Sequence, residues 1–260
     1  MSSPRYALVT GASRGIGSQF ARALAARSWN LILVARTQDR LDQLGRELSA
    51  GFGIQVVTLA LDLTATDALS TIAQQIRDRS LAVELLVNNA GFGVRGRFTN
   101  LSLDSQATSI RLNTLALVEL THLLLPEMAA KRRGAIINVS STAGFQPMPS
   151  AAIYAATKAF VTSFSIALAE EVRANGISVV TLCPGPTQTE STSPGKSPSR
   201  LPGGRQPVQE VVEEALKKME SGGGLVVPRL INKIMAFSNR LMPIHVSAKI
   251  VARAMGSQDT

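Results

Sequence analysis

The length, composition and charge of the chain exclude several classes of protein. Its 260 residues, 45% hydrophobic and 17% charged, describe a folded chain with a substantial core and suit one large α/β domain. The single cysteine, Cys183, excludes an intrachain disulfide and favours a reducing compartment, so we expect a cytoplasmic protein. We expect neither a secretion signal nor a membrane span, because the start lacks the signal pattern and no uninterrupted apolar run reaches about 18 residues.

The net charge of +9 is concentrated toward the end of the chain. From Pro194 to Thr260 there are ten Lys or Arg residues and five Asp or Glu residues. Such a bias attracts nucleic acid, anionic lipid or an acidic substrate, but it also describes an ordinary solvated surface. No aromatic-rich basic motif, helix-turn-helix pattern or zinc spacing accompanies the charge, so we expect no nucleic-acid partner.

Short apolar runs alternate with segments of helical period along most of the chain. The runs predict seven strands, at 5–10, 30–35, 55–61, 84–88, 135–140, 177–182 and 225–228. Helices are predicted near 15–28, 38–49, 66–79, 103–131, 151–174 and 208–220. Because the strands are apolar throughout, they suit a parallel sheet that is covered on both faces. The alternation predicts a single α/β domain over 1–260, doubly wound around a seven-stranded parallel sheet, with ligands bound at the carboxyl ends of the strands.

Two segments stand apart from this alternation. Residues 190–207, ESTSPGKSPSRLPGGRQP, follow a predicted strand and are rich in Ser, Pro and Gly, which favours a mobile substrate lid over a disordered insert. Residues 229–260 are predicted as a helical extension, with helices at 230–242 and 246–255. One apolar face of the first helix is predicted to comprise Leu230, Ile231, Ile234, Met235, Leu241 and Met242. We expect this face to pack on the protein body or on a neighbouring subunit, with contact to a membrane surface as the alternative.

A glycine turn follows the first predicted strand, in the sequence TGASRGIG at 10–17. Bare backbone in such a turn, together with the positive end of a helix that starts near Gly15, suits a bound diphosphate. The second predicted strand ends at Arg36, where an acidic residue would hydrogen-bond an adenosine ribose. Arg14 and Arg36 therefore predict a site for a 2′-phosphate, and so NADP(H) rather than NAD(H), with two merely exposed arginines as the alternative.

A tyrosine and a lysine lie one helical turn apart in YAATK, as Tyr154 and Lys158. Because an ammonium favours the phenolate, we expect Lys158 to lower the pKa of Tyr154 toward the working range of a proton carrier. The preceding predicted strand ends at Ser140 and Ser141, which offer a hydroxyl to a substrate oxygen. On its own, the Tyr–Lys spacing also describes an ordinary pair on a helix surface.

Taken together, these motifs resemble those of the short-chain dehydrogenase/reductase family, over the chain to about residue 190. The shared motifs, in the order and spacing of that family, are TGASRGIG (10–17), Asp62-Leu63, NNAG (88–91), Asn113, Ser141, Tyr154-x-x-x-Lys158 and PGPTQT (184–189). The resemblance implies a Rossmann-like fold and hydride transfer between NADP(H) and a carbonyl or secondary alcohol. It also implies a homodimer or homotetramer, assembled through the two long helices near 103–131 and 151–174.

The resemblance also implies a role for each matching residue. Tyr154 is the implied catalytic acid or base, Lys158 tunes it and holds the nicotinamide ribose, and Ser141 polarises the substrate carbonyl. Asn113 is implied to hold a water that feeds protons to Lys158. The other implied cofactor contacts are Gly11, Ser13, Arg14, Gly15, Ile16 and Gly17 in the turn, Arg36, Asp62 and Leu63 near the adenosine, Asn89, Ala90 and Gly91 beside its ribose, and Pro184, Gly185, Thr187 and Thr189 on the carboxamide and phosphate side.

The sequence around these motifs is most similar to 3-oxoacyl reductases and hydroxysteroid-dehydrogenase-like proteins. We therefore predict a small-molecule substrate, a bulky apolar ketone, that is reduced with NADP(H). The alternative is a regulatory protein that senses NADP(H) on the same fold, a class that typically lacks the tyrosine or the lysine. Cys183 is expected to be a small core residue, and the isolated His122 and His245 predict no metal site.

Overall fold

The central sheet has seven parallel strands in the order β3-β2-β1-β4-β5-β6-β7. In the computed structural model, which describes residues 4–189, 204–238 and 242–255, the strands are β1 (Arg5–Thr10), β2 (Asn30–Ala35), β3 (Val56–Ala60), β4 (Ala82–Asn88), β5 (Gly134–Val139), β6 (Ile177–Leu182) and β7 (Gly224–Val226). The helices are α1 (Gly15–Ala25), α2 (Gln38–Phe52), α3 (Ala68–Asp78), α4 (Leu103–Ile110), α5 (Ala116–Ala130), α6 (Ala152–Val172), α7 (Val208–Glu220), α8 (Leu230–Ser238) and α9 (Ile244–Met255). The predicted fold class, a doubly wound parallel α/β sheet, is confirmed.

Alternate residues of each strand pack into two separate cores, one on each face of the sheet. In β1, Ala7 and Val9 face the core that α1, α2 and α7 cover, whereas Tyr6 and Leu8 face the core under α3, α5 and α6. Leu8 and Val9 are both fully buried although they point to opposite faces. This burial on both faces explains why the strands are apolar throughout instead of alternating with polar residues.

Several predicted helices have different bounds in the structure, including α1, which ends at Ala25 instead of residue 28. The helix predicted to end at residue 49 continues to Phe52, because the residue that ends it is Gly53, whose φ of +67° is the left-handed conformation that glycine adopts at helix ends. The helix predicted near 103–131 is present over residues 103–130, but a π-helical turn, Arg111–Leu115, joins α4 to α5 where a regular α-helix is predicted. Such wide turns occur frequently at functional sites, and this one contains Asn113.

Helix α6 carries the predicted catalytic pair and lies against the sheet. With the 3-10 turn that follows it, residues 152–175 form the one helix in the described part of the chain with the length and hydropathy of a membrane span. However, α6 packs on β6 and on the 3-10 turn Thr142–Phe145, and buries Val161, Ser165 and Leu168. Those contacts identify it as a core helix of the sheet.

The extension after β7 contains two helices, but its apolar residues do not lie as predicted. The buried residues of α8 are Asn232 and Ala236, whereas Leu230 and Ile234 are exposed. Packing of this face on the protein body is therefore wrong for Leu230 and Ile234, and packing on a neighbouring subunit stays a prediction. Helix α8 ends at Ser238, so Met242 lies beyond it, and Leu241 lies outside the described residues.

Most of the predicted lid, 190–203, also lies outside the described residues, but the end of the lid is described. Gln206 is buried and pairs with the PGPTQT segment: its N–H donates to the Pro186 carbonyl at 2.9 Å, and its carbonyl accepts from the Gln188 N–H at 2.9 Å. Its side-chain Oε1 accepts a hydrogen bond from Asn232 of α8 at 3.2 Å. The described end of the predicted lid is therefore held against the PGPTQT segment and α8 by Gln206.

Candidate active site

A single cleft of about 800 Å³ lies at the carboxyl ends of the strands and gathers the predicted site residues. It lies where the strand order reverses on either side of β1, the usual ligand position in a doubly wound sheet. The predicted residues that line it are Gly11, Ser13, Arg14, Gly15, Ile16, Arg36, Asp62, Leu63, Asn89, Ala90, Gly91, Ser141, Tyr154, Lys158, Pro184, Gly185, Thr187 and Thr189. Gly17 and Asn113 do not line the cleft and instead support residues that do.

The glycine turn between β1 and α1 has the shape of a phosphate site. Gly11 and Gly15 have φ values of +64° and +61°, which other residues adopt only with strain. A Cβ on Gly17 would lie 2.2 Å from the Gly11 carbonyl oxygen, so only glycine allows the turn to close this tightly. Helix α1 begins at Gly15, and no side chain caps its N-terminus, which leaves its first amides and its positive end to an anion in the cleft. These residues fit a dinucleotide diphosphate.

The NNAG segment is fixed to β1 through the side chain of Thr10. The Thr10 hydroxyl accepts hydrogen bonds from the N–H groups of Asn89 at 2.9 Å and Ala90 at 3.0 Å. The Asn89 side-chain amide in turn donates to the Thr10 carbonyl at 2.8 Å. Because Thr10 is buried, these bonds hold Asn89, Ala90 and the adjoining Gly91 rigidly against the glycine turn.

The end of the cleft beyond β2 is strongly basic. Arg14, Arg36 and Arg40 all line it, and the one acidic residue in the lining is Asp62. The Asp62 carboxylate accepts from the Thr64 N–H at 2.9 Å and from the Thr64 hydroxyl at 2.7 Å, and these bonds, with the charge of Arg36, lower its pKa. Three guanidinium groups around a cleft of this shape suit a phosphate, which planar arginine forks bind well.

Ser141, Tyr154 and Lys158 meet in the middle of the cleft. Ser141 follows β5, and its hydroxyl accepts from the Ala143 N–H at 3.1 Å, which fixes it at the start of the 3-10 turn. Ser141 lies close enough to Tyr154 to act on the pKa of its phenol. The tyrosine ring lies against Gly93, where a Cβ would be 2.5 Å from the ring. The Lys158 Nζ lies 5.9 Å from the centre of the same ring.

The structure does not show the expected effect of Lys158 on the pKa of Tyr154. Burial raises the pKa of Tyr154 above its ordinary value, while the Ser141 hydroxyl and the charge of Arg95 act in the opposite direction. The expectation that Lys158 lowers the pKa of Tyr154 is therefore wrong for this structure. Desolvation of the phenolate outweighs both opposing interactions, so the phenol keeps its proton at neutral pH.

Lys158 is buried and has no carboxylate partner among the residues that the structure describes. Its Nζ donates to the Val139 carbonyl at 2.8 Å, at the end of β5. Burial lowers the pKa of Lys158 from 10.5 to about 8, because the surrounding protein disfavours the ammonium. The lysine can therefore gain or lose a proton close to neutral pH.

Ser140 and Ser141 have different surroundings, which agrees with the choice of Ser141 as the substrate contact. The Ser140 hydroxyl donates to the Lys158 carbonyl at 2.7 Å and lies 2.7 Å from the Thr162 hydroxyl. Cys183 adjoins this group, 3.7 Å from the Thr162 hydroxyl, and is fully buried with Val227 and Ala236 nearby. Ser140 thus joins the end of β5 to the backbone of α6, and the prediction that Cys183 is a core residue is confirmed.

Asn113 lies behind the cleft and holds the loop that follows the NNAG segment. Its Oδ1 accepts from the Phe92 N–H at 3.0 Å, and its Nδ2 lies 2.9 Å from the Phe92 carbonyl. The same Nδ2 is 3.0 Å from the Thr157 hydroxyl on α6 and 3.3 Å from the Ser109 hydroxyl. The π-helical turn directs Asn113 inward to these partners, so one buried amide connects Phe92 with the helix that carries Tyr154 and Lys158.

The PGPTQT segment forms the remaining wall. The Pro184 carbonyl accepts from the Thr142 N–H at 3.0 Å, which ties this wall to the residue after Ser141. The Thr187 hydroxyl donates to the Gly185 carbonyl at 3.0 Å. Gly185 lies directly against Asn232 of α8, since a Cβ there would come within 2.6 Å of its side chain. Helix α8 therefore supports the outer side of the cleft.

Several residues of the cleft were missed by the sequence analysis. Arg40 lies in the first turn of α2, four residues after Arg36, and lines the same end of the cleft as a third cation. The half beyond Tyr154 is lined by Phe92, Gly93, Val94, Arg95, Thr108 and Leu112. No local pattern marks these residues, because they meet only when the loop after β4 folds against α4 and the π-helical turn.

The comparisons with known proteins agree with this geometry. A family model described as short chain dehydrogenase matches residues 5–198. The very-long-chain 3-oxoacyl-CoA reductase of Bos taurus is 37% identical over 69% of this chain and 58% of its own length, and that of Pyrenophora tritici-repentis is 34% identical over 84% and 64%. The chain thus spans about three fifths of the length of these curated relatives.

Solved structures give the same result over nearly the whole chain. A short-chain dehydrogenase from Sphingobium yanoikuyae in complex with NADPH has a TM-score of 0.81 and 34% identity, over 91% of this chain and 92% of that one. A bulky-bulky ketone specific alcohol dehydrogenase from Comamonas testosteroni has a TM-score of 0.78 and 32% identity, over 93% and 94%. With its fold, its cleft and its matched residues in agreement, the chain belongs to the short-chain dehydrogenase family of oxidoreductases.

Proposed function

We propose that the protein is an NADP(H)-dependent oxidoreductase that interconverts a ketone and a secondary alcohol, with Tyr154 as the proton donor in reduction. The observation that carries this proposal is the meeting of Ser141, Tyr154 and Lys158 in one cleft with the glycine turn. Tyr154 and Ser141 line the same cleft, and Ser141 is close enough to lower the pKa of the phenol, so both hydroxyls are proposed to contact one substrate oxygen.

The proposed chemistry uses the protonation states found in the site. NADPH bound along the cleft would supply the hydride. Tyr154, whose pKa is raised by burial, holds its proton at neutral pH and donates it to the substrate oxygen. Ser141 donates a hydrogen bond to the same oxygen and stabilises its developing negative charge. Lys158, whose pKa burial lowers to about 8, is the proposed source of the proton that returns to the phenolate. Asn113 is proposed to hold a water on the path to Lys158.

The preference for NADP(H) over NAD(H) rests on Arg14, Arg36 and Arg40 at the adenosine end of the cleft. Relatives solved with NADPH or NADP support it. Arg36→Asp should weaken NADPH binding by roughly ten- to a hundredfold, the effect of losing a charged contact, and should leave NADH binding nearly unchanged. Arg46→Asp, at an exposed position of α2, the helix that follows Arg36, is the matched control. Equal losses of affinity for NADPH and NADH in a fluorescence titration would show that Arg36 does not bind the 2′-phosphate.

The substrate half of the cleft supports a bulky apolar ketone, with 3-oxoacyl thioesters as the first class to test. Phe92, Val94 and Leu112 give this half an apolar lining. Relatives named as 3-oxoacyl-CoA reductases, bulky-ketone alcohol dehydrogenase and 7β-hydroxysteroid dehydrogenase act on ketones or alcohols of this kind. Oxidation of NADPH should be screened across ketoacyl thioesters, steroids, quinones and small aldehydes. Binding of NADPH with no turnover of any ketone would favour the regulatory alternative.

Arg95 adds a positive charge to this apolar half and acts on Tyr154. We propose that it pairs with an anionic part of the substrate, such as the phosphates of a coenzyme A thioester. Arg95→Gln should then raise KM for a 3-oxoacyl-CoA about tenfold or more, but leave KM unchanged for the N-acetylcysteamine thioester of the same acyl group. An equal rise in KM for both thioesters would show that Arg95 does not bind the anionic part of the substrate.

A homodimer or homotetramer through α4, α5 and α6 is also proposed, in a cytoplasmic setting. Leu115, Phe160 and Ile166 are large apolar side chains that remain exposed on these helices. A shallow hollow lined by Phe145, Ile166 and neighbouring residues lies next to them. Exposed apolar surface of this kind is typical of subunit interfaces. Light scattering of the purified chain should give a dimer or tetramer, and a monomer at working concentration would contradict the proposal.

A further inference from the structure

Helix α8 presents an apolar face to solvent. Leu230, Ile234 and Phe237 are 72%, 55% and 43% exposed. Their spacing of four and three residues places them on one side of the helix, opposite the buried Asn232 and Ala236. Soluble proteins rarely leave three large apolar side chains together on one short helix unless that surface binds something.

The opposite side of α8 is part of the active-site wall. Asn232 lies against Gly185, which lines the cleft, and donates at 2.8 Å to the Pro228 carbonyl. Ala236 packs with Cys183 and Val227, beside Phe145 at the end of the 3-10 turn that follows Ser141. The exposed face therefore lies one helix thickness away from the catalytic cleft.

All the charged residues in the sequence that surrounds α8 are positive. Between Ser221 and Gln258 the chain contains five Lys or Arg residues and no Asp or Glu. Lys233 lies on α8 itself, and Lys249 and Arg253 are exposed on α9 together with Ile250. Arg229, at the start of α8, lies 3.9 Å from Glu210 of α7. Apolar side chains bordered by lysine and arginine are complementary to a lipid surface that carries negative headgroups.

We propose that the exposed face of α8, formed by Leu230, Ile234 and Phe237, docks the protein on an anionic membrane surface, with the lysines and arginines of α8 and α9 contacting the headgroups. The three apolar side chains enter the boundary between headgroups and acyl chains, and the helix lies in the plane of the membrane. This docking places the outer wall of the cleft against the bilayer. The docking does not depend on the proposed reaction, so the protein should bind lipid whether or not it reduces a ketone.

Co-sedimentation of the full chain with vesicles tests the proposal. Vesicles of phosphatidylcholine alone are compared with an equimolar mixture of phosphatidylcholine and phosphatidylserine, at low and high salt. We expect binding to the mixed vesicles, weakened by salt because the headgroup contacts are screened. The triple variant Leu230→Ser, Ile234→Ser, Phe237→Ser should lose at least about tenfold in affinity. The double variant Lys233→Gln, Lys249→Gln should reduce the preference for the mixed vesicles.

Phe52→Ser is the matched control, because Phe52 is 48% exposed at the end of α2, which packs on the opposite edge of the sheet. Its vesicle binding should equal that of the wild type. Both serine variants should stay folded and keep the wild-type NADPH affinity, since none of the four side chains lines the cleft. Absence of vesicle binding, or equal binding by the triple variant, would overturn the proposal. A change from oligomer to monomer in the triple variant without any vesicle binding would instead identify the face as a contact between copies.

Discussion

Replacing Lys158 with methionine should change how the stability of the protein depends on pH. Burial lowers the pKa of Lys158 from 10.5 to about 8. Each pKa unit corresponds to about 1.4 kcal/mol, so below pH 8 the buried ammonium costs the folded state about 3 kcal/mol. Above the folded pKa, the lysine is neutral in the folded protein and still charged in the unfolded chain. The penalty is therefore complete below pH 8 and disappears as the pH rises toward 10.5.

Urea unfolding of the wild type and of Lys158→Met at pH 7 and about pH 9.5 measures this effect. The free energy of unfolding of the wild type minus that of the variant should increase by about 2 kcal/mol between the two pH values. Titration of other groups is common to both proteins and cancels in the difference. The Val139 carbonyl loses its partner in the variant, but that loss is the same at both pH values.

Lys217→Met, at an exposed position of α7, controls for the loss of one positive charge from the chain. Activity provides a second measurement, since Lys158→Met should abolish turnover at both pH values. A difference in unfolding free energy that stays constant from pH 7 to about pH 9.5 would refute the argument. It would mean that the Lys158 ammonium is hydrated in the folded protein and pays no burial cost.

Two further predictions concern residues that support the cleft. Gly17→Ala should weaken NADPH binding at least about tenfold and lower the urea midpoint, because its Cβ would lie 2.2 Å from the Gly11 carbonyl oxygen. The control Gly51→Ala, whose Cβ meets no atom within 4 Å, should instead stabilise the protein by roughly 0.5–1 kcal/mol. Equal changes in the urea midpoint for the two variants would contradict the close approach of Gly17 to Gly11. Asn113→Ala should cost about 1–3 kcal/mol of stability and reduce kcat, since the Phe92 N–H loses its acceptor. An unchanged urea midpoint would show that Asn113 does not hold the loop that contains Phe92.

The parts of the fold that follow from local chemistry could be predicted from the sequence. Strand β1, for example, is apolar and buried from Tyr6 to Val9, and the glycines after it have the conformations that only glycine adopts without strain. The same motifs placed Arg36 and Lys158 at the cleft, because the carboxyl ends of parallel strands lie on one edge of a sheet. The period of the apolar residues and the spacing of the motifs are enough to predict the strand and the residues at its end.

The features that the sequence analysis missed depend on contacts between distant segments. The π-helical turn around Asn113 exists because its side chain bonds Phe92 and Thr157, 21 and 44 residues away, and helical period alone predicts an unbroken helix. The pKa of Tyr154 depends on how much protein covers the phenol, which the spacing to Lys158 does not reveal. The outward face of α8 was assigned inward because apolar stripes usually face protein, whereas here Asn232 takes the inner position.

The central claim, that Tyr154 transfers the proton in a reaction at this cleft, is tested most directly by Tyr154→Phe. The variant removes one oxygen and keeps the ring that lies against Gly93, so the fold and the cofactor site stay intact. NADPH affinity should remain within about twofold of the wild type, while the steady-state rate with the best ketone from the screen falls by about 10²–10⁴-fold. A variant that binds NADPH and reduces the same ketone at the wild-type rate would contradict the account.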